Sequence, residues 1–159
     1  MYFDKIYGNP GAIDPFITAS IFEKGTNRRM GNFNMSNPRT FPVVYTSVAC
    51  TSSSLSTDRI VYTQNINLPD NVFNNQNGYY LVWERCCRNG VITNITNPGA
   101  AWQTFYLEFP AVVKNGQAFR NSSPELISAV SDYACLNELF TFDFSGKDPD
   151  GDSLVYEMA

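Results

Sequence analysis

The 159-residue chain contains no histidine. That absence excludes Ser-His-Asp and Cys-His nucleophilic catalysis. It also removes the commonest ligand of zinc and the transition metals. Charge is sparse as well. Eleven Lys and Arg stand against 15 Asp and Glu, for a formal net charge of −4, and only "NRR" at Asn27–Arg29 gathers basic residues. Nucleic-acid binding needs a basic stripe to neutralise phosphates, so no such partner is expected. No apolar run reaches the roughly 18 residues of a membrane helix, so no membrane insertion is expected. No secretory signal pattern opens the chain. Met1 runs at once into "YFDKIYGNP", which reads as a strand entering a turn, so the natural start is expected upstream. C-x₂-C zinc knuckles and a thioredoxin-like C-x-x-C are missing too.

What is present points to β structure. At 43% hydrophobic and 14% aromatic, the chain carries enough apolar surface to fold. Its length suits one domain, or one domain and part of another. Convincing helical periodicity is lacking. "SPELISAVSDYACLNELF" (123–140) has some helical spacing but reads as extended or loop, with at most a short helical turn. Strand signals recur instead. "FITASIFEKG" alternates through Ile17, Ala19 and Ile21, with "RMGNFNMS" as its hairpin partner. "TFPVVYTSVAC", "STDRIVYTQNINLP", "YYLVWERCC" and "AWQTFYLEFPAV" follow, separated by Asn/Gly/Pro turns that tolerate positive φ. Regular strands of this kind predict an antiparallel, Ig-like β-sandwich over 1–118. A polar linker, 119–124, comes next. Over 125–159 a new pattern begins, with Phe140, Phe142 and Phe144 alternating, an acidic loop, and "SLVYEM". That pattern predicts the first strands of a second, truncated sandwich.

Four cysteines, Cys50, Cys86, Cys87 and Cys135, fit two disulfides in an oxidising compartment. Three connectivities are available. A bond between Cys86 and Cys87 is disfavoured, because disulfides prefer Cα atoms about 5.5 Å apart and chain neighbours sit about 3.8 Å apart. On a strand the two side chains point to opposite faces. Cys87 shares parity with Tyr79, Leu81 and Trp83, the expected core face. Parity therefore pairs Cys50 with Cys87 and Cys86 with Cys135, tying the first domain to the second. The reverse, Cys50 with Cys86, keeps both anchors and exchanges their faces. Arg85 and Arg88 flank the pair and could lower a thiol pKa, but arginines that fix the strand end are the simpler reading.

The stretches "GYYLVWERCCRNGVITNITNPG", "FYLEFP", "NSSPEL" and "YACLNELFTFDFSGKDPDGDSLVYEM", with "YFDKIYGNPGAIDPFITASIFEKGTNR" before them, cover nearly the whole chain. Together they closely resemble the N-terminal region of Bacteroidota gliding motility-associated C-terminal domain-containing surface proteins. The most specific part is W-x-x-CCRN-x-x-x-x-N, Trp83 to Asn94. The tail "FDFSGKDPDGDSLVY" resembles the opening of a PKD or cadherin-like repeat. The resemblance implies a secreted, cell-surface polypeptide exported by the type IX system. It implies adhesion, display or structural spacing, with neighbouring repeat domains of the same or another chain as partners. It does not imply catalysis.

Several residues could carry chemistry. Asp148, Asp150 and Asp152 stand at alternate positions of "DPDGD", and a turn at Gly151 could direct their oxygens to one calcium ion. The likeness to PKD and cadherin-like repeats supports calcium there, with Asn121 as an added ligand. A solvated acidic turn is the competing reading. Glu84 and Glu108 could form a glycosidase pair, but outward-facing strand carboxylates explain them more simply. Tyr2, Tyr7, Tyr79, Tyr80, Trp83 and Trp102 could build a sugar-stacking platform, with Trp83 and Trp102 foremost, whereas aromatics in a β-sandwich more often fill its core. "DSL" at Asp152–Leu154 matches a short O-glycosylation pattern resembling one used in Bacteroidota, with Ser153 as acceptor. Asn34, Asn94 and Asn121 match N-x-[ST] and would stay unmodified in a bacterium. The expected role is thus a non-enzymatic, extracellular structural or adhesive module, disulfide-stapled and calcium-stiffened. A carbohydrate- or glycan-binding module is the alternative.

Overall fold

A computed structural model describes residues 1–45, 48–50, 56–90, 92–127 and 134–157. The chain is all-β, and its sheets are antiparallel. It divides into two compact units. One comprises Pro15–Asn37 and Tyr62–Arg120, and the other Met1–Asp14, Pro38–Val61 and Asn121–Ala159. Segments 1–14 and 38–61, expected with the first sandwich, thus group with the segment that begins at Asn121.

The first unit is built on four strands, β2 (Phe16–Glu23), β3 (Arg29–Ser36), β6 (Tyr79–Arg85) and β7 (Gln103–Phe109), in the order β3-β2-β6-β7. Alternation assigns their faces. Ile17, Ala19 and Ile21 of β2 pair with Met35, Phe33 and Gly31 of β3, and Ile21 also meets Leu81 of β6. Leu81 and Trp83 in turn oppose Leu107 and Phe105. Ile21, Phe73 and Tyr79 form the buried nucleus, with Met30, Phe33, Ile66, Leu68, Leu81, Phe109 and Val112 packed around it. Three of these, Ile66, Leu68 and Phe73, come from the irregular segment between β5 (Thr57–Val61) and β6, so extended loop covers this face. The sequence reading carries "STDRIVYTQNINLP" as one strand, but β5 is confined to Thr57–Val61. Beyond it, side chains rather than a ladder hold the chain.

Local chemistry fixes the turns. A two-residue Asn115-Gly116 loop joins β8 (Val113–Lys114) to β9 (Gln117–Ala118), both residues at positive φ (54° and 76°). That is the type I′ arrangement which Asn-Gly satisfies and which matches strand twist. Gly78 has φ 80°, and a Cβ there would lie 2.7 Å from the Phe109 carbonyl oxygen, so only glycine fits. At the β2–β3 turn, nearly buried Glu23 accepts from Thr26 Oγ1 at 2.6 Å and Arg28 at 3.1 Å.

The second unit holds β1 (Tyr2–Asp4), β4 (Arg39–Pro42) and β5 in the order β1-β5-β4, with the short pair β10 (Glu125–Leu126) and β11 (Gly146–Lys147). Among the described residues of this unit, Ile60 of β5 is a fully buried side chain. Phe140, Phe142 and Phe144 meet in a row, as their alternation predicts, Phe140 stacked on Phe142 at 6.4 Å and Phe142 edge-on to Phe144 at 4.7 Å between centroids. Neither they nor "SLVYEM" lie in a strand among the described residues. Part of the 123–140 stretch lies outside the described residues.

The disulfides correct the parity argument. Cys50 bonds Cys135 with Cα atoms 5.1 Å apart, and Cys86 bonds its neighbour Cys87 with Cα atoms 3.7 Å apart. The argument fails because β6 ends at Arg85, before the pair, and Cys87 turns to φ 78°. Alternation therefore no longer governs these two side chains. Each disulfide lies within one unit, so neither ties the two units together.

Candidate functional site

The face of the four-stranded sheet opposite the Ile21–Tyr79 nucleus carries a set of ordered polar and aromatic side chains. Thr18, Ser20 and Phe22 stand on β2, Tyr80, Val82 and Glu84 on β6, and Thr104, Tyr106 and Glu108 on β7. Phe22, Tyr80 and Tyr106 form a cross-strand ladder with ring centroids 5.2 and 5.3 Å apart. Such pairs add directly to sheet stability. Tyr80 Oη donates to Asn27 Oδ1 at 2.9 Å, and Tyr106 Oη donates to Glu108. Lys24 forms an ion pair with the other oxygen of Glu108.

A second row runs beside the ladder. Thr18 Oγ1 donates to Asn34 Oδ1 at 2.7 Å, and Ser20 Oγ donates to Asn32 Oδ1 at 2.9 Å. Thr104 Oγ1 donates to Glu84 Oε1 at 3.1 Å. Each hydroxyl hands its proton to a neighbour and keeps lone pairs for an outside donor, while each amide keeps its NH₂ as donor.

Between the rows lies a concavity of about 310 Å³, lined by Thr18, Ser20, Phe22, Val82, Glu84 and Trp102. Trp102 is 67% exposed. It enters from the loop between β6 and β7, which is laid down by Cys87 N donating to Ala101 O at 3.1 Å and Arg88 N to Pro98 O at 3.0 Å. The Cys86–Cys87 ring thus sits at the base of the loop that presents Trp102.

The residues expected to act fall in different places. Trp102 joins the concavity. Trp83 lies on the opposite face, stacked on Phe105 at 4.7 Å, and is not part of it. Glu84 lines the concavity, but Glu108 is bound to Lys24 and Tyr106. The Lys24 and Tyr106 hydrogen bonds hold the Glu108 carboxyl below its ordinary range, and the same bond pushes the Tyr106 phenol up to about 12. A glycosidase general acid needs the opposite shift. Sequence reasoning missed Val82 of β6 and, on β2, the lining residues Phe22, Ser20 and Thr18. The signal for the β2 residues was the complement of the Ile17, Ala19, Ile21 alternation, which places an aromatic among hydroxyls on the outer face.

The acidic loop is organised by its own backbone. Asp148, nearly buried, accepts at Oδ1 from Asp150 N at 2.8 Å and Asp152 N at 3.3 Å. Asp150 accepts from Ser122 N, and Asn121 Nδ2 donates to the Ser122 carbonyl at 3.0 Å. Among the described residues no three acidic, His or Cys side chains gather as a cation site. The arrangement is an Asx-turn, with Asp148 Oδ1 as its acceptor. Ser153 is exposed. Among the described residues no helix is long and apolar enough to cross a membrane.

In comparison with known proteins, no family model, no curated protein and no solved structure matches the chain significantly.

Proposed function

We propose that the chain is a non-enzymatic structural and adhesive module of a large extracellular, cell-surface polypeptide. The observation that carries this reading is the complete pairing of its cysteines in an all-β chain, with no free thiol. Disulfides of this kind persist in oxidising, extracellular settings. The Ig-like sandwich architecture, export by the type IX route and neighbouring repeat domains as partners belong to the same proposal, on the strength of the Trp83–Asn94 signature. Calcium stiffening would draw on the Asp152 carboxylate together with the Asp148 and Asp150 oxygens left beside their backbone donors.

The test is non-reducing peptide mapping combined with thermal melting. Mapping is expected to give Cys50–Cys135 and Cys86–Cys87, with a melting temperature that falls on reduction. Four free thiols in protein taken from the cell surface, or an unchanged melt after full reduction, would remove the support. Melting with calcium and with chelator decides the stiffening separately. A calcium-dependent rise that Asp148→Asn abolishes supports it, and identical melts discard it.

A further inference from the structure

We infer that the Trp102 concavity is a binding site for one uncharged pyranose ring of a glycan. This rests on the adhesive reading above and gives it a contact. A pyranose presents an apolar C–H face and a rim of hydroxyls that both donate and accept. The concavity offers the complement. The Trp102 indole and the Phe22 ring provide apolar surfaces, and an indole left two-thirds in water has stacking area to give. Ser20 Oγ and Thr18 Oγ1 have spent their protons on Asn32 and Asn34 and so accept from sugar hydroxyls. Glu84 keeps one oxygen beyond its Thr104 bond and accepts a charge-assisted hydrogen bond, the stronger kind.

Charge narrows the ligand class. No Lys or Arg lines the concavity, and the ammonium of Lys24 on the same face is held by Glu108. Glu84 is the charged side chain of the lining and disfavours uronates, sialic acids and phosphates there, while the nearest guanidinium on this face, Arg29 opposite Phe22, is turned onto Asn32 Oδ1 at 2.7 Å. Size narrows it further. About 310 Å³ lies at the lower end of ligand pockets, enough for a ring seated on an open sheet rather than a buried chain. The site is also pre-organised. The outward side chains are fixed by cross-strand bonds, and the Trp102 loop is pinned at Cys87 and Arg88, so little ordering is left for binding.

The experiment is a titration of the intact, oxidised chain with neutral saccharides, followed by indole NH resonances and tryptophan fluorescence. The probes are glucose, galactose, mannose, N-acetylglucosamine and their short oligomers, with glucuronate and sialyllactose as anionic counterparts. At least one neutral saccharide is expected to shift the Trp102 indole and not the Trp83 indole. Trp102→Ala should weaken that binding at least about tenfold, which is about 1.4 kcal/mol, with an unchanged melting temperature. Trp83→Phe should leave it within about twofold, and Glu84→Gln should weaken neutral ligands while lessening the discrimination against glucuronate. The inference is overturned if no neutral saccharide moves the Trp102 signal at concentrations up to tens of millimolar, if Trp102→Ala binds as the parent does, or if anionic sugars bind better. Each of those results leaves the disulfide map and the reduction melt of the same sample untouched, so failure of this site is distinguishable from failure of the structural reading.

Discussion

The two units reach stability by different means. The unit built on β3-β2-β6-β7 has a nucleus of Ile21, Phe73 and Tyr79 inside a shell of half-buried apolar side chains. Among the described residues, the unit holding β1-β5-β4 leaves Leu136, Leu139 and Val155 nearly fully exposed, at 89%, 94% and 89%, and fully buries Ile60. Covalent closure makes up part of that difference. Cys50 and Cys135 are 85 positions apart, and in the chain-entropy account a loop of that length raises the free energy of the unfolded state by about 4.5 kcal/mol. One unit is held by packing and the other leans on a staple.

The strongest way to break this contrast is to remove the staple. Cys50→Ser with Cys135→Ser is expected to destabilise β1-β5-β4 by roughly 3–5 kcal/mol. Amide exchange would read it, with protection lost in β1, β4 and β5 and kept in β2, β3 and β6. Uniform loss in both units would mean that the packed unit depends on the same bond.

The reciprocal change attacks packing. Ile21→Ala removes a fully buried side chain of the nucleus and should cost roughly 2–5 kcal/mol, depending on how far the site collapses. Denaturant melts should show β2, β3, β6 and β7 unfolding earlier. A gentler version is Tyr79→Phe. The Tyr79 hydroxyl accepts from Asn75 N at 2.9 Å and donates to Val72 O at 3.2 Å, pinning the loop that covers the core. Its loss strands a donor and an acceptor and should cost roughly 1–2 kcal/mol, with faster exchange confined to the 72–78 loop.

The same contrast decides what was legible in the sequence. In the packed unit, alternation at Ile17, Ala19 and Ile21 and at Tyr79, Leu81 and Trp83 reports a face buried by that unit's own residues, so strands and faces are readable. In the other unit, Phe140, Phe142 and Phe144 alternate as clearly, yet among the described residues they pack on one another without a ladder. Periodicity tells which side chains share a face and says nothing of whether a partner strand arrives. The disulfides were misread for a related reason. Parity holds only while the backbone stays extended, and the positive φ at Cys87 is a tertiary choice that a non-glycine residue does not announce. The concavity needed register, since Phe22, Val82 and Trp102 meet only once β2, β6 and β7 are aligned.

The smallest expected effect concerns a charge within the packed unit. Hydrogen bonds from Thr26, then Arg28, hold the Glu23 carboxyl below its ordinary value of 4.5. A folded-state value below the unfolded one means that the unfolded chain binds the proton more readily. The contribution is therefore fully present above about pH 4.5 and is lost as pH falls through the folded-state value. Glu23→Gln should flatten the acid limb of the melting temperature of β2 and β3 and leave the neutral-pH slope unchanged. Because Glu23 closes the β2–β3 turn through Thr26 and Arg28, the same substitution should raise amide exchange at Asn27, whose N–H donates to the Glu23 carbonyl. An acid limb identical to the parent's would mean that the carboxylate only decorates the turn and that glycine and asparagine at positive φ are enough to form it.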